Sequence, residues 1–263
     1  MNALPPLVGM VHLRPLPGSP GYSGSMSEVL DAARSDASAL TEAGFPALMV
    51  ENFGDAPFFA DNVPPETVAA MSLAVEAVLE ESGVPVGVNV LRNDVLSSLG
   101  IAAATGAALV RVNVLTGLMY TDQGPMVGRA AEALRKRSEI APRVEIWADV
   151  MVKHSTPPPG LDARQAAIDT VERGLADAVI VSGPGTGIEP DLEEAQIVRD
   201  AVPKETRLAV GSGADTTNLA SLAEVADTVI VGSAAKFDGD ARNRVDPGRA
   251  ARLVHVSREC GLL

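Results

Sequence analysis

AVGSG at residues 209–213 and VIVGSAAK at residues 229–236 are two apolar runs that each break at a Gly-Ser turn, about one strand–helix unit apart. Glycine carries no Cβ to obstruct an approaching group. Exposed backbone N–H groups at such turns therefore make a seat for a phosphate. In an eight-stranded β/α barrel the loops after the last two strands commonly hold one. The reading turns on whether the rest of the chain counts out as that barrel.

Eight short strand-like runs can be marked, at 6–12, 46–52, 85–91, 108–114, 144–150, 177–183, 207–213 and 227–233. Between and after them lie helical stretches at 26–43, 66–82, 94–105, 124–140, 162–173, 190–201, 216–224 and 247–259. Strict alternation of this kind means βαβ units and a parallel sheet. The count predicts a single (β/α)8 TIM barrel over residues 1–263. An open doubly wound sheet, the competing arrangement, usually has fewer strands. Helix-to-strand turns are tight and carry Gly44, Gly83, Gly106 and Gly174 as helix-ending glycines. Strand-to-helix loops are long and rich in Pro and Gly, at 13–25, 52–65, 115–124, 154–161 and 234–246. This asymmetry puts the functional mouth at the C-terminal ends of the strands.

Composition narrows the class. The chain is 46% hydrophobic but only 3% aromatic, so its apolar mass is aliphatic, as a buried parallel sheet requires. A net charge of −13 argues against nucleic acid and against anionic membrane surfaces as partners. No uncharged apolar run is long enough for a membrane span, and MNALPPLVGMVHL lacks the basic start of a signal peptide. Cys260 is the only cysteine, so no internal disulfide forms. A cytoplasmic protein is expected. A homo-oligomer is left open.

Polar residues gather where the apolar runs stop. His12 ends the first run, Glu51 and Asn52 the second, and Asn89 lies in the third with Arg92, Asn93 and Asp94 beyond it. Arg111 and Asn113 share one face of the fourth; Asp149 ends the fifth, with Lys153 and His154 just after. The sixth opens into Ser182, Gly183 and Thr186, and Lys236 follows the last. Such groups are costly inside strands unless paired or used on a ligand. Gly211, Ser212, Gly213, Gly232 and Ser233 are expected to hold a phosphate, with Arg92, Arg111 and Lys236 adding positive charge and Asn89, Asn113, Gly183 and Thr186 completing the binding set. Asp149 or Glu51 is the expected general base, His12 a proton donor or orienter, and Lys153 an electrophilic stabiliser or a Schiff-base amine.

Each group also has a structural alternative. Arg111 suits a clamp by Glu51 or Asp149, and His12 a bond to backbone. Asn52 and Asn93 suit caps on the following loops and helices, and Asp94 a helix N-cap. Trp147 reads as barrel packing and His255 as a surface residue. No cofactor is expected. The carboxylates with His12 also suit a divalent metal, although no H-x-H, H-E-x-x-H or paired-carboxylate motif is present.

GMVHLRPLPGSP (9–20), VENFGDAPF (50–58), GVNVLRND (87–94) and RVNVLTGLMYTDQG (111–124) resemble the BtpA/SgcQ family. ADVMVKHS (148–155), SGPGTG (182–187), GSGADTTN (211–218) and GSAAKFDG (232–239) extend the resemblance along essentially the whole chain. Departures are expected at 20–27 and 237–246. The resemblance implies a barrel. It also implies kinship with proteins named for photosystem I biogenesis in cyanobacteria, and with members found beside sugar-metabolism genes. It supplies no settled reaction. The expected function is binding and transforming a small phosphorylated metabolite, sugar phosphate-like, by isomerase, epimerase or lyase chemistry. The alternatives are a non-enzymatic assembly or stability factor and a metabolite-sensing barrel.

Overall fold

The computed structural model describes residues 5–183, 185, 187, 188 and 191–263. Eight parallel strands close into a barrel: β1 (Leu7–His12), β2 (Ala47–Glu51), β3 (Val86–Asn89), β4 (Leu109–Val112), β7 (Glu145–Val150), β9 (Ala178–Ser182), β10 (Arg207–Gly211) and β11 (Thr228–Val231). The ring closes where β11 pairs with β1, Leu7 opposite Val229 and Gly9 opposite Val231. The remaining strands form a small antiparallel sheet outside the barrel: β5 (Leu118–Thr121), β6 (Gly124–Val127) and the two-residue β8 (Ser155–Thr156).

Each barrel strand is followed by a helix: α1 (Met26–Ala43), α2 (Pro65–Ser82), α3 (Val95–Thr105), α4 (Ala130–Ile140), α5 (Ala163–Ile168), α6 (Leu192–Ala201), α7 (Leu219–Ala223) and α8 (Pro247–Glu259). Acidic N-caps start several of them; Asp94 accepts from Ser97 N at 2.9 Å, Asp162 from Gln165 N at 2.8 Å and Asp246 from Gly248 N at 2.8 Å. Helices α1, α2 and α3 end on Gly44, Gly83 and Gly106, all left-handed, as expected. Gly174 differs. Its φ is −80°, and it ends a π-helical turn over Asp169–Arg173. A Cβ there would lie 2.6 Å from Thr170 O, so close approach to backbone demands this glycine.

One boundary also differs from the sequence reading. The helix expected from residue 124 starts at Ala130, because Gly124–Val127 pairs back onto Leu118–Thr121 as a hairpin. The alternation Met119–Thr121 and Met126 buries Met119 and Met126 and carries the strand signal.

Strand periodicity of two sends alternate residues into the barrel. Val8, Met10, Ala47, Met49, Leu109, Trp147, Ala178, Ile180, Ala209 and Ile230 form the interior cluster. Trp147 is packing, as the sequence suggested. Below it Arg207 donates to Glu145 at 2.7 Å, and Trp147 Nε1 donates to the same carboxylate at 2.9 Å. The floor is closed by an ion pair; the top is open. No helix among the described residues is long and apolar enough to cross a membrane.

Candidate functional site

One period above the apolar layer, the same inward positions carry His12, Glu51, Asn89, Arg111, Asp149 and Ser182. The register sets His12 beside Glu51 and Glu51 beside Asn89. On β10 and just past β11 the inward positions are Gly211 and Gly232, so the ring has no side chain on that side. A cavity of about 730 Å³ opens above the ring, walled by His12, Glu51, Arg92, Asn113 and Lys153. A narrow cleft leads off it. His12, Glu51 and Lys153 also line that cleft, together with Ser212, Gly213, Gly232 and Ser233.

Asp149 lies below the cavity. Its Oδ2 accepts from Arg111 Nε (2.9 Å) and Asn113 Nδ2 (3.2 Å), and its Oδ1 from Arg111 Nη2 (2.8 Å) and Ser182 Oγ (3.0 Å). Two bonds to each oxygen use its acceptor capacity. Burial works against the Arg111 charge, but Asp149 outweighs it and holds the guanidinium above its ordinary range. This clamp is the structural alternative raised for Arg111. It leaves Glu51 as the ring carboxylate with spare acceptor capacity.

Glu51 Oε2 accepts one bond, from Asn89 Nδ2 at 2.6 Å. Burial would raise its carboxyl; the cationic Lys153 and Arg111 with the Asn89 bond act against that, and its pKa lies below the ordinary carboxylate range. His12 stacks on Phe53, ring centroids 4.5 Å apart. Its Nδ1 lies 2.9 Å from Ala241 O. A carbonyl only accepts, so Nδ1 carries the proton and the neutral ring turns a bare Nε2 toward Glu51 Oε1, 3.7 Å away. Burial, above all, lowers the imidazole pKa to about 4. Two acceptors thus face each other across a gap that suits a donor hydroxyl or a transferable proton.

Lys153 projects into both the cavity and the cleft, and its main-chain carbonyl accepts from Arg92 Nη2 at 2.6 Å. Among the described residues its ammonium has neither a hydrogen bond nor a carboxylate within 4.0 Å. Burial and the nearby Arg111 and Arg92 lower its pKa against the pull of Glu51 and Asp149. Backbone around it is held in the left-handed region at Met151 (φ 52°) and His154 (φ 56°), as it is at Ser212 (φ 78°).

Lys236 is not on the rim. It is wholly buried and its Nζ lies 2.6 Å from Asp36 Oδ2 on α1, away from the cavity. Asn52 and Asn93 cap no helix but clamp loops: Asn52 Oδ1 accepts from Leu91 N at 2.7 Å, and Asn93 Oδ1 from Val114 N at 2.8 Å. Asn89 supports Glu51; none of Asn89, Gly183 and Gly211 lines the cavity or the cleft. Thr186 lies outside the described residues. His255 is on the exterior of α8, paired with Glu259.

Sequence reasoning missed the apolar wall: Phe53, Phe58, Leu91 and Pro15. A signal was available, since a chain with only five Phe places three of them within the long loop 52–65. Ala241 was missed as well. Its contribution is a carbonyl, for which a side-chain reading has no sign.

Among the described residues no three His, Cys, Asp or Glu come together as a metal-ligand set. Among the described residues the buried oxygens Asn89 Oδ1 and Asn113 Oδ1 have no hydrogen-bond partner. Asn113 is on the cavity wall, and its free acceptor is of the kind that a substrate hydroxyl satisfies.

Fold and mouth together define a β/α-barrel protein with a walled cavity at the C-terminal ends of its strands. The chain belongs to the BtpA family, whose model matches residues 4–259. It is 44% identical over 254 residues to the photosystem I biogenesis protein BtpA of Synechocystis, covering 97% of this chain and 88% of that one. An uncharacterised protein of Methanocaldococcus jannaschii is 43% identical over 256 residues, covering 97% and 95%. Among solved structures the native KDPGal structure is similar (TM-score 0.63, 16% identity, covering 100% of this chain and 98% of that one). So is the orotidine 5′-phosphate decarboxylase of Pyrococcus horikoshii (TM-score 0.55, 17% identity, 97% and 99%). These structural likenesses establish the barrel.

Proposed function

We propose that this barrel binds a small phosphorylated metabolite and transforms it by proton transfer at a carbon or oxygen next to the phosphate-bearing end. The observation that carries the reading is the shared lining of cleft and cavity. His12, Glu51 and Lys153 belong to both, so a ligand seated on Ser212, Gly213, Gly232 and Ser233 presents its next atoms to them. Backbone N–H groups at these turns supply the phosphate donors, and Lys153 supplies positive charge. Glu51 is the base, because its Oε1 accepts no bond from the described residues while Asp149 is fully engaged. Neutral His12 relays or returns the proton through Nε2. Asn113 Oδ1 accepts from a ligand hydroxyl. The phosphate-linked names among the similar barrels agree with the reading.

The test is thermal unfolding with inorganic phosphate, glyceraldehyde 3-phosphate and ribose 5-phosphate, each beside its unphosphorylated counterpart. A bound ligand raises the midpoint in proportion to the logarithm of its concentration above Kd. A shift from the phosphorylated compounds alone is expected. No shift with any of them sinks the reading.

A further inference from the structure

The chain has four lysines, Lys136, Lys153, Lys204 and Lys236, and the two in the barrel are treated in opposite ways. Lys236, fully enclosed, is neutralised by Asp36 at 2.6 Å. Among the described residues Lys153, at the junction of cleft and cavity, has no such partner, and cationic Arg92 and Arg111 are among the charges acting on it. A lysine that only balanced charge in the fold would be expected to sit against a carboxylate. Nearby carboxylates are present, but Asp149 is bound by Arg111 and Glu51 by Asn89. The unpaired amine is left facing the space that a ligand occupies.

We infer that Lys153 is a covalent catalyst, condensing with the aldehyde or ketone carbon of a phosphorylated carbonyl compound to form a Schiff base. The inference rests on the phosphate reading above, which puts the phosphate on the Gly-Ser turns and the carbonyl one or two atoms further out. The uncharged Nζ attacks the carbonyl carbon, the C=O π pair moves to oxygen, and that oxygen takes the proton that Nζ gives up, leaving a neutral carbinolamine. A second proton converts the hydroxyl into leaving water as the C=N bond forms. The sum is amine plus carbonyl plus one proton giving iminium plus water. The iminium acidifies the adjacent carbon, whose proton Glu51 accepts. Its lowered basicity keeps more of the Lys153 amine in the reactive free-base form than at a surface lysine. Each unit of lowering raises that fraction about tenfold.

Pyridoxal 5′-phosphate is a suitable probe, since it joins a phosphate to an aldehyde on a flat ring and the cavity wall offers Phe53, Phe58 and Leu91 to that ring. The full-length protein is treated with it at limiting concentration, reduced with borohydride and mapped by peptide mass. Reduction locks the imine as a stable secondary amine. The expected result is one adduct, on Lys153, formed faster than on exposed Lys204 and suppressed by inorganic phosphate. Lys153→Arg should lose the adduct, while Lys204→Arg, on the exposed surface, should keep both the adduct and the phosphate-induced thermal shift.

Other outcomes divide the two readings. A phosphate-induced shift with labelling spread over Lys136 and Lys204 overturns the Schiff base and leaves the phosphate seat standing. An adduct on Lys153 that phosphate does not suppress overturns the seat and keeps the reactive amine. Neither shift nor Lys153 adduct overturns both.

Discussion

Arg111 and Asp149 face each other two bonds deep across adjacent strands β4 and β7, Nε to Oδ2 at 2.9 Å and Nη2 to Oδ1 at 2.8 Å, with both side chains out of solvent. Removing one partner of a buried pair strands the other charge, which costs about 3–5 kcal/mol. Asp149→Asn is therefore expected to lower the unfolding midpoint by roughly 6–20 °C, taking about 2–4 °C per kcal/mol for a chain of this size. The double variant Arg111→Met, Asp149→Leu is expected to recover much of the loss, because matched apolar groups need no partner. Calorimetry of the three proteins decides it. Asp149→Asn as stable as the parent would mean that the pair is not what holds the ring.

The expectation about Arg111 was legible because a charged residue flanked by valines in a barrel strand has few alternatives to a carboxylate on the next strand. The (β/α)8 count was legible for a similar reason: eight aliphatic runs separated by helical stretches leave little other than a parallel barrel. Other parts were hidden. Whether Asp149 or Glu51 keeps a free lone pair depends on where Asn113, Ser182 and Asn89 send their hydrogens, and spacing alone carries no such information. Lys236 was misplaced because it follows a Gly-Ser turn in sequence. Residues 233–235 form a 3-10 turn, and beyond it the side chain runs outward to Asp36 on α1. The clue lay in α1 itself, where Asp36 occupies the buried stripe with Val29, Ala33, Ala37 and Leu40. An acid on that stripe calls for a buried cation.

Lys236→Met tests that assignment. Asp36 would keep only the Val245 N–H, at 2.8 Å, and lose the charge that balances it. Stability is expected to fall by about 3–5 kcal/mol, while affinity for inorganic phosphate in the folded variant stays within about twofold of the parent, a difference under 0.5 kcal/mol. Pairing the change with Asp36→Leu should restore part of the stability. A loss of phosphate affinity beyond about tenfold would return Lys236 to the ligand site.

His12 gives a pH dependence with a defined sign. Its folded pKa is about 4 against 6.5 for an unperturbed imidazole, chiefly through burial. Between those values the unfolded chain holds a proton that the folded chain lacks, so stability rises with pH across that window. The contribution is fully present above pH 6.5, falls as the pH drops, and is gone below about 4. At 1.36 kcal/mol per unit the full effect is about 3 kcal/mol. His12→Gln keeps a side-chain donor for Ala241 O and cannot titrate. Its midpoint should therefore vary less than the parent's between pH 4 and pH 6.5, measured in one buffer series. Parallel curves for the two proteins would show that His12 is not the titrating group.

Gly213, at φ 71°, and Gly83, at φ 63°, are matched in backbone conformation and differ in place: the first lines the cleft, the second ends α2 on the far side of the barrel with nothing within 4 Å of an added Cβ. An alanine in the left-handed region costs about 1–2 kcal/mol, so Gly213→Ala and Gly83→Ala should lower the midpoint by similar amounts. Their effect on a phosphate seat should not be similar. Turning the 213 backbone to relieve the strain moves the N–H groups assigned to the phosphate, and phosphate binding is expected to weaken about tenfold, or 1.4 kcal/mol. Gly83→Ala should bind as the parent does, because its Cβ meets open space. Titration calorimetry with inorganic phosphate on both variants separates strain from site. Equal affinities in the two would take the Gly-Ser turn at β10 out of the phosphate seat and leave the turn after β11 to carry it.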